Sequence, residues 1–231
     1  MPTTHKLTEL LDLRSPPIAV TFQTAPPANI PRVAAPGPSG CTYWKHAAEG
    51  RTFYTEAADH YNCPIGAYTH AVDLPPERAK ELEGVVGTMI QLGYIRQEEV
   101  AGIPRRESKF AVAVYAPLAE APIQPDVVLV RGNARQLMLL AEAAGAAGIG
   151  VEAMMGRPTC AAIPAVMRTQ HSVTSLGCIG NRIYTELPDD EFYFALPGRH
   201  VQAVVDKLAM IMNANRALAD YHRARRQAVP V

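Results

Sequence analysis

The chain has 231 residues, 48% of them hydrophobic and 19% charged, and its 22 basic residues balance 22 acidic ones. That content suffices for one buried core in a single domain, and the lack of a basic surplus argues against nucleic acid as a partner. The opening Met-Pro-Thr-Thr-His-Lys-Leu-Thr-Glu lacks a signal peptide's apolar stretch and no run reaches membrane-span length, so a cytoplasmic protein with no membrane association is expected, in a compartment where structural disulfides are rare.

Taken in chain order, residues 7–13 predict a short helix that ends before Pro16-Pro17, and 18–22 a buried strand. Residues 24–40 hold five prolines with Gly37 and Gly40, which is loop chemistry. Cys41 opens a short helix to about residue 50, and 59–69 reads as irregular around Asn62-Cys63-Pro64. A helix over 75–94 starts on Pro75-Pro76-Glu77-Arg78, since proline suits a first helical turn. Residues 110–116 form a strand, and the continuous apolar run at 126–130 predicts a strand buried on both faces. Asn133 caps a helix to 144, Gly145, Gly148 and Gly150 mark the turn after it, and Cys160 opens another short helix. A strand at 191–195 precedes a long helix, about 198–225, with Val201, Val204, Val205, Leu208, Ile211, Met212 and Leu218 on one stripe. That stripe is core or a subunit interface, and the latter would make the protein a homo-oligomer. The basic run His222 to Arg226 reads as a solvated helix end.

Alternation of strands and helices predicts an α/β (α+β) fold with a mixed sheet. Within the single domain, two related halves, about 5–120 and 121–231, suggest a degenerate internal duplication. Pro16-Pro-Ile-Ala-Val-Thr-Phe22 resembles Gln124-Pro-Asp-Val-Val-Leu-Val130. Each strand leads to a cysteine pair, Cys41 with Cys63 and Cys160 with Cys178. Each second cysteine is followed by a glycine and then Tyr-Thr, at Gly66 with Tyr68-Thr69 and Gly180 with Tyr184-Thr185.

If the halves pack about a pseudo-twofold axis, the four cysteines meet at the junction. Four thiolates are the ligand set of an iron–sulfur cluster, for instance a 4Fe–4S cube. Gly40, Gly177 and Gly180 beside the ligands allow close backbone approach and offer N–H groups to sulfur. Zinc on four cysteines is the alternative, although neither zinc nor ferredoxin motifs space their ligands so widely. Other readings are a non-catalytic module for a small ligand or metal, thiol chemistry without metal, and plain buried cysteines; the absence of Cys-x-x-Cys counts against a thioredoxin-like version of the thiol chemistry. His60, in Asp59-His60-Tyr61-Asn62-Cys63, and Arg182, near Cys178, are the candidates to attend a small-molecule substrate. A redox partner protein would be the other partner. No three-glycine dinucleotide fingerprint or Walker lysine pattern is present.

Three segments carry a family resemblance: Cys41-Thr-Tyr-Trp-Lys-His-Ala-Ala-Glu-Gly50 with Phe53-Tyr54; Asp59-His-Tyr-Asn-Cys-Pro-Ile-Gly-Ala-Tyr68; and Gly156-Arg-Pro-Thr-Cys-Ala-Ala-Ile-Pro164 with Ser175-Leu-Gly-Cys-Ile-Gly-Asn-Arg182. Over about residues 5–225 the chain resembles the uncharacterised prokaryotic domain of unknown function 169 family. The resemblance implies that the four cysteines form a real site, because the family's cysteine-bearing segments match these positions. It implies no reaction.

Overall fold

The computed structural model describes residues 2–154 and 157–228, without the side chains of residues 2–5. Its centre is a seven-stranded mixed sheet in the order β2-β3-β1-β4-β7-β6-β5. The strands are β1 (Ile18–Gln23), β2 (Phe53–Glu56), β3 (Val112–Pro117), β4 (Val127–Gly132), β5 (Val151–Ala153), β6 (Ser172–Ser175) and β7 (Phe192–Pro197). Every neighbouring pair is antiparallel except β5 with β6.

The predicted double-sided burial of β4 follows from its position. It lies between β1 and β7, with Ala19 opposite Val128 and Ala195 opposite Leu129. Side chains alternate across a pleated strand. Val128 and Val130 therefore join one core with Ala19, Phe194 and Leu196. Val127 and Leu129 join the other with Ile18, Val20, Tyr193 and Ala195.

The first core is covered by α1 (Pro2–Leu11), α6 (Ala134–Ala146) and α9 (Val201–Ala228). Asn133 caps α6, its side chain accepting from the Gln136 amide while Gln136 reaches back to the Asn133 amide, so two orphan N–H groups are satisfied. The helix runs through Gly145 to Ala146, two residues past the expected end at 144. The stripe of α9 is buried only at Val201, Val204, Val205 and Leu208. Ile211 and Met212 are half-buried, and Leu218 is 57% exposed, because α6 and α1 end before the helix does.

The second core is covered by α2 (Gly40–Ala48) and α7 (Ala162–Thr169). Tyr43 and Trp44 of α2 are fully buried, Trp44 against Tyr193 with ring centroids 5.3 Å apart. Each large side chain buried this way stabilises the fold by roughly 1.5–3 kcal/mol. Ser39 caps α2, accepting from the Cys41 amide at 3.3 Å.

The strand order is symmetric about the β1–β4 pair. In the first half β3 lies between β1 and β2, and in the second β7 lies between β4 and β6. The residue after each third strand bonds back the same way: the Leu118 amide to the Pro17 carbonyl and the Gly198 amide to the Asp126 carbonyl. Helix content does not repeat, since α6 and β5 belong only to the second half. Strand order by itself does not establish a duplication, because antiparallel three-stranded units recur in unrelated folds.

Candidate functional site

All four cysteines line one cavity of about 810 Å³ on the second face of the sheet. Each comes from the start of a helical segment. Cys41 is the second residue of α2. Cys63 is the N-cap of α3 (Pro64–Thr69), and Cys178 is the N-cap of α8 (Ile179–Thr185). Cys160 lies in the short 3₁₀ turn, Thr159–Ala161, that runs into α7. Cys41 and Cys160 thus precede the strands β2 and β6, while Cys63 and Cys178 follow them. The halves meet crosswise, α2 packing on α8 and α3 on the turn that holds Cys160.

Matching hydroxyls brace the pairs. Ser39, before Gly40-Cys41, places its Oγ 3.5 Å from Cys63 Sγ. Thr159, before Cys160, accepts from the Cys178 amide at 2.5 Å. Cys63 Sγ lies over Gly66, where a β-carbon would come within 2.8 Å of the sulfur. Gly177 holds φ at +81°, in the region that favours glycine, and so turns β6 into Cys178 and α8.

Cys41 and Cys160 are buried, whereas Cys63 and Cys178 are half-buried. Burial pushes the Cys41 thiol up to about 12, and the neighbouring Cys63 and Cys178 add to the rise. Burial does the same to Cys160, reinforced by Cys41 and Cys63 and opposed by the Thr69 hydroxyl. Among the described residues, no group of three or more His, Cys, Asp or Glu side chains is gathered closely enough to hold one metal ion.

Two other elements complete the cavity, α4 (Pro76–Gln91) and α5 (Gln97–Ala101), which lie across it from the cysteines. Leu82, Val86, Met89 and Ile90 of α4 and Val100 of α5 form this apolar wall.

The predicted attendants lie elsewhere. His60 is 2% exposed and does not line the cavity. Its Nε2 pairs with Thr55 Oγ1 at 2.9 Å, and its ring packs among Tyr43, His70 and Phe110. Arg182 also stays out of the lining. Its guanidinium donates to the carbonyls of Leu176, Pro188 and Glu191, tying the segment before α8 to the loop after it. Of the three predicted glycines, Gly180 lines the cavity, and Gly40 and Gly177 do not. Gly156, in the segment before Cys160, is outside the described residues.

Sequence reasoning missed Asn181. It is 1% exposed, lines the cavity, and neither amide atom has a well-formed hydrogen-bond partner. It approaches Cys41 and works against the rise of that thiol. Its place two residues after Ile179, on the first turn of a helix begun by Cys178, was the available signal. Gly66, Ser39 and Thr159 were equally visible as small or hydroxylic neighbours of cysteine.

The family model of DUF169, described as "Uncharacterised ArCR", matches residues 6–207. The chain belongs to this family. Its matched span ends at the last buried turn of α9, so the exposed outer part of that helix lies beyond the matched region. Uncharacterized protein MJ0308 of Methanocaldococcus jannaschii is 28% identical over 166 residues, which cover 65% of this chain and 67% of that protein. No solved structure matches the chain. No helix among the described residues of this DUF169 protein is long and apolar enough to cross a membrane.

Proposed function

We propose that the protein binds an iron–sulfur cluster through Cys41, Cys63, Cys160 and Cys178, and that the cluster serves redox or substrate-activating chemistry on a small molecule. The observation that carries this reading is the arrival of four cysteines from two halves of the chain in one cavity. The donor set fits the group. Thiolates are the usual ligands of such clusters. A cluster also interposes iron and sulfide between its ligands, so they stand farther apart than the ligands of a single ion. Zinc needs four sulfurs about 2.3 Å from one centre, and the described residues offer no group gathered for one ion.

Burial opposes free thiolates here, so the cysteines need a bound cation to carry their charge, and each lies near the start of a helical segment. Gly66 leaves the Cys63 sulfur room that any side chain would fill. The cluster, when bound, would supply a site for one electron or for a Lewis-acid contact. The chain's own part is to hold the four sulfurs, exclude water with α4 and α5, and keep a dry, mostly apolar space beside them. A cytoplasmic setting, where thiols stay reduced, belongs to the same reading.

Anaerobic reconstitution with ferrous iron and sulfide tests it. Equal iron and sulfide, with a broad thiolate-to-iron absorption band, is the expected result. Replacing any of the four cysteines by serine should lower both contents. Retention of zinc in place of iron would support the zinc alternative, and failure to take up either would leave a binding module without metal.

A further inference from the structure

We infer that the space between the cysteine floor and the α4–α5 wall is a chamber for a small, largely apolar molecule that presents one polar end to Asn181. This deepens the cofactor reading, on which the role of the floor rests.

Three observations carry the inference. The first is size: about 810 Å³ falls within the range of ordinary ligand sites and leaves ample room beside four sulfurs. The second is the wall. Leu82, Val86, Met89 and Ile90 recur at helical spacing on one face of α4, and Val100 extends that face from α5. Yet none of the sixteen residues of α4 is buried. An apolar stripe that is only half-buried while it faces a cavity is covered more fully when that cavity is filled. Met89 and Met154 add unbranched side chains that adapt to irregular shapes. The third is Asn181, whose buried amide lines the chamber near Cys41 and Tyr193 without a well-formed hydrogen bond to either. A buried amide left unpaired is costly, so its position selects a ligand end that can accept or donate there.

Of the charged residues in the lining, Glu83 is exposed to solvent and the other two are engaged. Glu99 pairs with Arg96 at 3.5 Å, and Arg157 donates to the Tyr94 carbonyl and stacks over the Tyr94 ring. Recognition therefore falls mainly to apolar contact, with Asn181 as the buried amide, which suits a hydrophobic molecule with a single polar group rather than a sugar or a nucleotide.

The test uses 8-anilinonaphthalene-1-sulfonate as probe and Trp44, the single tryptophan, as energy donor; Trp44 lies three residues after Cys41. The full chain should bind the probe saturably, one per chain, with Trp44 emission transferred to it. Ile90→Glu and Val86→Glu should each weaken binding about tenfold or more, because they place a charge in the apolar wall. Both residues are only half-buried, so their thermal unfolding should fall much less than that of Leu208→Asp, at a fully buried position. Leu92→Glu, at a position 77% exposed and outside the lining, should bind as wild type. Unsaturable binding, or Ile90→Glu binding like wild type, would overturn the chamber. Iron content measured on the same samples separates the two readings. Probe binding without iron uptake keeps the chamber and removes the cluster, and iron uptake without probe binding does the reverse.

Discussion

The two halves of the sheet place their cysteines alike and differ in what comes next. In the first half, residues 70–111 separate α3 from β3 and include α4 and α5. In the second, residues 186–191 alone join α8 to β7. The floor of the cavity is thus built twice, by equivalent positions, and its cover only once. A floor made by matching elements is constrained by what it must hold. A cover with no counterpart is free to vary in shape, which is how binding specificity is usually attached to a fixed scaffold.

The largest expected effect concerns the body on which both halves rest. Leu208 is fully buried in the core of α1, α6 and α9, while Leu218 on the same helix is 57% exposed. Leu208→Asp should cost about 3–5 kcal/mol, since it buries an unpaired charge. Leu218→Asp should stay within about 0.5 kcal/mol. Denaturant unfolding measures both, and equal losses would mean that the outer part of α9 is covered too.

A second effect belongs to the first half alone. Burial lowers His60 to about 3, helped by His70 and opposed by Asp59. Burial lowers His70 to about 4, opposed by the Gly66 carbonyl and helped by Arg106. Both rings are neutral in the folded chain, whereas the unfolded chain takes up protons below the ordinary value of 6.5. Stability is therefore complete above pH 6.5 and falls toward pH 4, by about 1.4 kcal/mol per pH unit for each histidine. His70→Gln should flatten that slope. A slope unchanged by the substitution would place the acid sensitivity elsewhere.

The cover should also open before the body does. Because α4 has no buried residue, its amides should exchange through local opening, while those of β4 exchange only on global unfolding. Hydrogen exchange followed by mass spectrometry reads the difference, and equal protection would make the cover part of the body.

The smallest effect leaves stability untouched and asks how the cysteines group. In metal-free protein, Cys63 and Cys178 should alkylate faster with iodoacetamide than Cys41 and Cys160, because the latter are buried and Cys41 is raised to about 12. Rates that grouped by half of the chain, Cys41 with Cys63, would break the equivalence of positions.

The sequence by itself determined the elements whose signal is local. The apolar run of β4 needs no partner to be recognised, and the Asn133 cap is complete within four residues of chain. The α4 helix showed in its Pro-Pro-Glu-Arg start, and the four cysteine segments stood out because small residues and prolines surround them. What stayed hidden has its cause in neighbours distant along the chain. The short strands β2, β5 and β6 are three or four residues long, and β5 is exposed at every residue, so only pairing makes them strands. The helices α3 and α8 have six and seven residues, too few to show a period. Local pattern assigned His60 and Arg182 to the site, but packing sent one into an aromatic nest and spent the other on three carbonyls. The meeting of Cys63 with Cys160 depends on the antiparallel pairing of β1 with β4, which turns the two halves face to face. That pairing is a contact between segments a hundred residues apart, and only the folded sheet decides it.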